Sequence, residues 1–465
     1  MLGLFATLNV SQRALQANQQ AIEVAGHNIA NINNPAYTRQ RVLLQTSAPI
    51  QTAQGSVGTG VDVAQVAAVR NQILDNNIVS ESSTTGSLSA QQDALQTAQS
   101  ALGEQLDSNG TPVAGLSASL SNFFNSWQAL SADPSNLAAR QTVVQNSAGL
   151  ASQFRAVDQR LGDLQSQLNT QLTQGVNSAN TLLQDIARLN QQIEGSESGS
   201  SGLANDLRDT RQQKLEALST LVKFDVSTGI SGGVNISVGG VTLVNETSVS
   251  DQLQTYDPGS GLLGLRAQTA GTTLTPTSGQ LAGTMSARDG AVADLRSSIN
   301  TLASNLITNV NSLHTPGFAL DGSSSTPFFT GSSAADIQVN GALQSDPSRV
   351  QASGSAGNAG DNQVARSISS LANQAQAALG GITISQKYSA AVSGIGSSLA
   401  GVTQGIADQK SVTDLLGAQR SSLSGVSMDE ELADLTRYQK AYEASARVMS
   451  TVTTMLDTVI NLGRY

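Results

Sequence analysis

Apolar residues recur at helical spacing at both ends of the chain. At the front, Leu8, Leu15, Ile22 and Ile29 fall seven residues apart, with Leu4 and Ala25 filling part of the seam between them. At the back, Leu435, Tyr438, Tyr442, Met449, Val452, Leu456 and Val459 follow gaps of three and four, with Ser445 the one polar interruption. Such seams belong to coiled coils, whose apolar stripe is buried only against a partner helix. A chain whose first and last residues each need a partner is built to assemble, which points to a structural role before a catalytic one. The pattern leaves open whether the two ends also satisfy one another within the chain.

Between the ends the period changes twice. The opening helix is predicted over 4–31, and Asn33-Asn34-Pro35 stops it, because the residue before proline is steered out of the α region. Arg41 to Gln45 and Val61 to Val69 read as extended, separated by Gly55, Gly58 and Gly60. Helical sequence resumes over 71–106, breaks at Gly110 to Pro112, and returns with Phe123, Phe124 and Trp127 before a turn at Asp133-Pro134-Ser135. From Leu150 to Ile193 thirteen apolar positions follow in steps of three or four, with consecutive four-residue steps around Leu172. That predicts a rod-like helix with a local shift in its stripe. A Ser/Gly break at Gly195 to Gly202 and a short helix to Leu221 come next.

Over 222–283 the period falls to two. Val222, Phe224 and Val226 alternate with polar residues, and Asn235 to Val238, Gly239-Gly240 and Val241 to Val244 predict a hairpin. Helical spacing returns from Leu295 to Leu313 and stops at Pro316-Gly317. A Gly/Ser-rich stretch then holds one short strand over 337–340, and helices over 361–379 and 385–423 lead to the terminal helix. The expected fold class is mainly α: a long coiled-coil-like helical scaffold formed by the N- and C-terminal parts, with a small inserted β-rich domain. The expected domains are 1–70 with 424–465 as a terminal coiled coil ordered on assembly, 71–221 with 284–423 as a helical rod, and 222–283 as an outer β-rich module. Residues 318–355 are open to assignment with that module.

Composition narrows the chemistry. The chain has 465 residues, 39% hydrophobic but only 3% aromatic, so burial rests on Leu, Val, Ile and Ala. Only 12% are charged, which leaves the surface to Ser, Thr, Asn and Gln. A net charge of −10 and five scattered lysines argue against nucleic acid and against a polybasic membrane patch. No apolar run approaches the ~20 residues of a membrane span. The N-terminus lacks the basic-then-apolar layout of a cleaved signal peptide. With no cysteine and only His27 and His314, thiol catalysis and histidine-rich metal sites lack their residues, and no cofactor is expected. A carboxylate mechanism in the β-rich module would draw on Glu246, Asp251 and Asp257.

Local motifs have modest readings. His27 and Asn28 are either polar residues on an exposed helix face or a specific packing contact. His314 is expected at a helix end, where its positive form suits the dipole. Ser427 with Glu430 reads as a capping box, and Asp429-Glu430-Glu431 as acids favoured at a helix start. Phe123, Phe124 and Trp127 are expected in the core.

Two runs carry a resemblance. Gly26-His27-Asn28-Ile29-Ala30-Asn31, followed by Asn34 to Gln40 with Pro35 and Tyr37, resembles the signature of bacterial flagellar rod, hook and hook-associated proteins. Ala36 stands where that signature usually has glycine. Ser424 to Val448, with Asp429, Glu430, Glu431 and Tyr438-Gln439, resembles its C-terminal half. The Tyr438-Gln439 pair, Phe123 to Leu130 with Pro134, Ala139 to Gln141, Asn205 to Asp209, and Asn311 to Gly322 with Phe328-Phe329 incline the resemblance toward the hook-associated protein 1 family of hook–filament junction proteins. A hook or distal-rod subunit is the alternative.

The resemblance implies a non-enzymatic structural part of the flagellum, secreted by type III export and placed outside the cell at the hook–filament junction. It implies as partners the flagellar hook protein, a second junction protein, copies of itself in a ring and an export chaperone, with no nucleic acid and no membrane.

Overall fold

The computed structural model describes residues 2–34, 36–52, 55–108, 112–198, 202–229 and 232–462. The signature residue Pro35 and part of the expected breaks at 110–112 and 195–202 lie outside them. Helix α1 (Leu2–Ala30) leads into a β arm of β1 (Gln40–Thr46), β2 (Ile50–Thr52), β3 (Gly55–Val57) and β4 (Val61–Ala68). Then come α2 (Gln72–Leu102), the short strands β5 (Gln105–Leu106) and β6 (Pro112–Ala114), α3 (Leu116–Ala132), α4 (Leu137–Glu197) and α5 (Asn205–Leu221). The inserted strands are β7 (Asp225–Thr228), β8 (Val234–Val238), β9 (Val241–Asn245), β10 (Ser248–Val249), β11 (Leu253–Tyr256), β12 (Gly264–Ala267) and β13 (Thr273–Leu274). Helix α6 (Gln280–Ala287) passes through a π-helical turn, Arg288–Val292, into α7 (Ala293–His314). The chain ends with β14 (Phe329–Thr330), β15 (Gln338–Val339), α8 (Gly341–Ser345), α9 (Gln363–Ser370), α10 (Ile384–Ser424) and α11 (Met428–Leu462). The fold is mainly α with an inserted β region.

Helix α4, 61 residues long, is the spine. At ~1.5 Å per residue it runs about 90 Å. All thirteen apolar positions from Leu150 to Ile193 are buried. Those up to Leu168 join a core with α3, α7 and α9; most of those from Leu172 onward join a second core with α5 and the inserted strands. The handover falls among the consecutive four-residue steps, each of which turns the stripe by roughly 40° about the helix. One helix thereby serves two cores in succession along its length.

The insertion forms a four-stranded antiparallel sheet, β10-β9-β8-β7, and a three-stranded one, β11-β12-β13. Gly239 (φ 56°) and Gly240 (φ 82°) make the expected β8–β9 turn. Asp251 accepts the backbone N–H groups of Gln252, Thr269 and Ala270, so it anchors a turn. Phe328, Phe329, Ile337, Val339, Leu343 and Val350 pack into the first core, beside Phe123 and Trp127, and not against the inserted sheets.

Several expectations need correction. The helix expected over 71–106 stops at Leu102, because Gly103 takes a left-handed conformation (φ 64°) and the next residues pair as β5–β6. The helix expected over 361–379 is only α9. Leu371 and Leu379 reach the core from short 3-10 turns, and Gly380 and Gly381 both sit at positive φ. Val226 is exposed although Val222 and Phe224 are buried. His314 does not carry the charge a helix end would favour. It is fully buried, Nδ1 meets the Thr326 carbonyl at 2.8 Å and Nε2 accepts from the Gln351 N–H at 2.9 Å, and burial pushes its pKa down to about 4.

Candidate assembly site

The two signature runs, some 400 residues apart in sequence, meet in one polar knot together with the start of α5. Asn28 lies at its centre, 1% exposed. Its Nδ2 donates to the Gln40 carbonyl (3.0 Å) and to Glu431 Oε2 (2.9 Å), while its Oδ1 accepts from the Gln40 N–H (3.0 Å) and the Tyr37 hydroxyl (2.7 Å). Every hydrogen-bonding position of the amide is used. Arg39, also buried, pairs with Glu430 (2.6 Å), Glu431 (2.6 Å) and, more loosely, Asp434 (3.8 Å), all on the first turns of α11. The Arg39 Nε–Glu431 Oε1 contact is close but off the hydrogen-bond line, so its attraction is mainly Coulombic.

The start of α5 closes the other side. Asp209 accepts the Thr38 N–H (2.8 Å), Asp206 accepts from Gln40 Nε2 (2.8 Å), and Asn205 donates to the Val66 carbonyl (2.9 Å). Arg70 bridges Asp75 (2.9 Å) and Asp209 (3.5 Å), and Arg420 holds Glu216 (2.5 Å). Burial pushes the Asp75 and Asp209 carboxyls up, with Arg70 pulling both back. Burial and the surrounding carboxylates push the Tyr37 hydroxyl up. Burial would lower Arg39, but Glu430 and Glu431 hold it above its ordinary value. Beside the knot a cavity of about 790 Å³ is lined by four arginines and four carboxylates, a balance that selects no ion by charge. Among the described residues no group of three or more His, Asp or Glu is placed to hold a metal ion, and no helix is long and apolar enough to cross a membrane.

The knot corrects the capping-box reading of Ser427 with Glu430, whose carboxylate is taken by Arg39, while Asp429, Glu430 and Glu431 do stand in the first turn of α11. It also decides between the two readings of Asn28 in favour of a packing contact. His27 stays half-exposed, its ring edge-on to Tyr37 and its Nε2 3.7 Å from Asp206. Asn31 donates from its side chain to the His27 carbonyl (3.0 Å) and lines the cavity. Gly26, Ala30, Asp429 and Gln439 face outward. Sequence reasoning did not single out Arg39, Asp434, Arg70 or the roles of Asp206 and Asp209. One signal was present: Glu431 stands four residues before Leu435 and seven before Tyr438, a charge in a seam position.

Because the end of α1 meets the start of α11, the two helices run antiparallel, packed along their length. On α11, Leu435, Tyr438, Met449 and Leu456 are half-buried and Val452 is buried, whereas Tyr442 and Val459 are exposed. On α1 the buried residues are small or polar: Ser11, Ala17, Ala21, Ala25 and Asn28. Leu8, Leu15, Ile22 and Ile29 are half-buried, roughly 100° around the helix from that stripe. The β arm lies along α1, with Arg13 on Asp62 (2.7 Å) and Gly60 close against Val10.

Large apolar side chains are left out at the ends. Among the described residues 21 are exposed, and 17 of them lie within 5–73 and 412–462. On α11, Val448, Met455, Val459 and Leu462 form an exposed stripe at steps of seven, four and three, roughly 90° around the helix from the first and sharing Val459 with it.

Comparison with known proteins agrees with this geometry. Three family models match: "Flagella basal body rod protein" over 8–38, "Flagellar hook-associated protein FlgK helical domain" over 104–329, and "Flagellar basal body rod FlgEFG protein C-terminal" over 418–462. "Flagellar hook-associated protein 1" of Bacillus subtilis (strain 168) is 26% identical over 513 positions, covering 99% of each chain. Its namesake in Escherichia coli (strain K12) is 25% identical over 549 positions, covering 98% of this chain and 99% of the other. Both alignments exceed 465 positions, so these relatives hold segments that this chain lacks. The solved structure of the flagellar hook junction protein FlgK from Burkholderia pseudomallei shares the fold, with a TM-score of 0.64 at 17% identity over 75% of this chain and 100% of that one. With its two ends, its helical middle and its full length all matched in this way, the chain belongs to the flagellar hook-associated protein 1 family.

Proposed function

We propose that this chain is a structural component of the bacterial flagellum that joins hook to filament, assembling as a junction ring through its terminal helices. The observation that carries the reading is the concentration of exposed large apolar residues toward the two ends of the chain, where 17 of the 21 among the described residues lie within 5–73 and 412–462. Burying such side chains contributes roughly 1.5–3 kcal/mol each. Copies of the chain, the hook protein and a second junction protein are the partners that cover them, after export with a chaperone to the outside of the cell.

The knot supplies the orientation. It fixes the antiparallel pair at one angle to the helices behind it, so that neighbouring copies meet in register. In this division 1–70 with 424–465 is the assembling unit, 71–221 with 284–423 the body, and 222–283 an outward module. The test is immunogold labelling of isolated flagella together with deletion of the gene. Label confined to the hook–filament boundary, and hooks without filaments on deletion, are expected. Loss of the hooks themselves would move the assignment to a hook or rod subunit.

A further inference from the structure

Helix interiors disfavour asparagine, whose amide competes for nearby backbone groups. On α4 three asparagines nonetheless follow directly on members of the apolar stripe: Leu168-Asn169, Ala179-Asn180 and Leu189-Asn190. At ~100° per residue they fall within a sector of roughly 80°, spread over about 30 Å of the helix. That sector faces the inserted strands.

Each amide meets the backbone of the insertion with both of its ends. Asn180 Nδ2 donates to the Leu253 carbonyl (2.8 Å) and its Oδ1 accepts the N–H of the same residue (2.9 Å), the exchange that a neighbouring strand would make. Asn190, fully buried, does the same with Val234 (2.9 and 3.3 Å) and donates also to the Glu246 carbonyl (2.6 Å). Asn169 donates to the Gly261 carbonyl (2.8 Å) and accepts the Leu263 N–H (3.1 Å). The two outer asparagines are held in turn by buried arginines that flank the insertion in sequence. Arg211 on α5 donates to Asn190 Oδ1 (2.8 Å), and Arg288, in the π-helical turn, donates to Asn169 Oδ1 (2.6 Å).

We propose that Asn169, Asn180 and Asn190 are a docking ladder that holds the inserted module on α4 at one register and tilt, with Arg211 and Arg288 locking its two ends. Such docking is a property of the free chain and does not depend on where the protein assembles. Apolar packing alone selects no register. The α4 side of the second core, Leu172, Val176, Ala179, Leu183 and Ile186, repeats aliphatic side chains every three or four residues, and hydrophobic contact is non-directional. A slip of one helical turn, ~5.4 Å, exchanges one aliphatic contact for another. The same slip strands three amides together with the backbone groups of Val234, Leu253 and Leu263, and buried groups left without their hydrogen bonds are costly. Because the ladder reads backbone, the module's side chains are free to vary without moving it.

The absence of cysteine lets two spin labels be placed without background. In the full chain, Gln159→Cys on α4 and Thr272→Cys between β12 and β13, both exposed, report the distance from spine to module. The labelled parent is expected to give one narrow distance distribution. Adding Asn169→Leu with Asn180→Leu, which keeps side-chain size and removes the amides, is expected to broaden or shift it while amide protection in the β8–β9 hairpin is retained. Gln254→Ala, next to Leu253, changes only a module side chain and is expected to leave the distribution narrow. An unchanged distribution in the Leu variant, or equal broadening from Gln254→Ala, would overturn the proposal. Should the Leu variant also lose hairpin protection, Asn180→Ala removes a single rung, and a distribution as narrow as the parent's would then overturn it equally.

Discussion

The body and the terminal unit use the same aliphatic residues in opposite ways. In the body, α3, α4, α7 and α10 bring Phe123, Trp127, Leu161 and Ile299 to zero exposure. In the terminal unit, α1 buries alanines while Phe5, Leu432, Met455 and Ile460 stay outside. Composition does not separate the two; arrangement does. A helix whose buried stripe is made of small residues keeps its large ones for other surfaces. The knot between the regions is the third solution, holding them together with charge and amide bonds in place of an apolar core.

The largest test of that difference is truncation on each side. Trp127→Ala should destabilise the isolated chain by about 3–5 kcal/mol, because the vacated space is walled by Phe123 and Phe328. Met455→Ala should change it by less than about 0.5 kcal/mol. Denaturant midpoints on the free protein measure both. Comparable losses would erase the distinction.

Acid should also separate the regions. His314 has its folded pKa lowered to about 4 from an ordinary 6.5. Above pH 6.5 it is neutral folded or unfolded and adds no pH dependence. As pH falls from 6.5 to 4, only the unfolded chain takes the proton, and the body loses up to about 3 kcal/mol. Asp75 and Asp209 in the knot are shifted the other way: their folded pKa values are raised by burial, so their linkage favours the folded knot as pH falls through those values. Hydrogen exchange between pH 7 and 5 should therefore show protection in α7 falling faster than at Thr38 and Gln40. Replacing His314 with Gln should flatten the α7 response.

At the knot, Glu431→Gln keeps the Asn28 contact but removes one charge from Arg39. A fully orphaned buried charge costs about 3–5 kcal/mol. Glu430 and Asp434 remain within reach, so about 2 kcal/mol is expected, and it should appear as faster exchange in α11 with the body's midpoint unchanged. A drop in the body's midpoint would mean that the knot is part of the body's core.

Much of the fold was legible because helical spacing is a local property. The thirteen positions on α4 and the Gly239-Gly240 hairpin needed no knowledge of their partners. The knot was legible only in part. Asn28, Glu430 and Glu431 stood out through the resemblance, but nothing local reveals that Arg39 meets an α11 that starts 389 residues later. The small stripe on α1 was readable, since Ala14, Ala17, Ala21 and Ala25 also step by three and four. The leucine heptad drew attention from it because large residues dominate a hydrophobic count. Ends of helices in the loop-rich stretch were the least legible, for there the stop is set by two glycines at positive φ and by core contacts of Leu371 and Leu379.

The smallest effect on the free chain should be the most telling for assembly. Val448, Met455, Val459 and Leu462 share the outer stripe of α11, and each is more than a third exposed. Replacing Val448 and Met455 together with Ser removes apolar surface that water already touches, so the isolated protein should unfold within about 0.5 kcal/mol of the original. In a flagellum the same change strips the stripe from every copy at once. Multivalent contacts multiply such losses, and the expected result is filament shedding, with the junction absent from isolated hooks. The control is Gln439→Ser, on the same helix and facing outward but outside the stripe, which should leave both readouts unchanged. If the stripe variant swims normally and keeps its junctions, the outer face of α11 is bare surface, and only the face toward α1 counts in assembly.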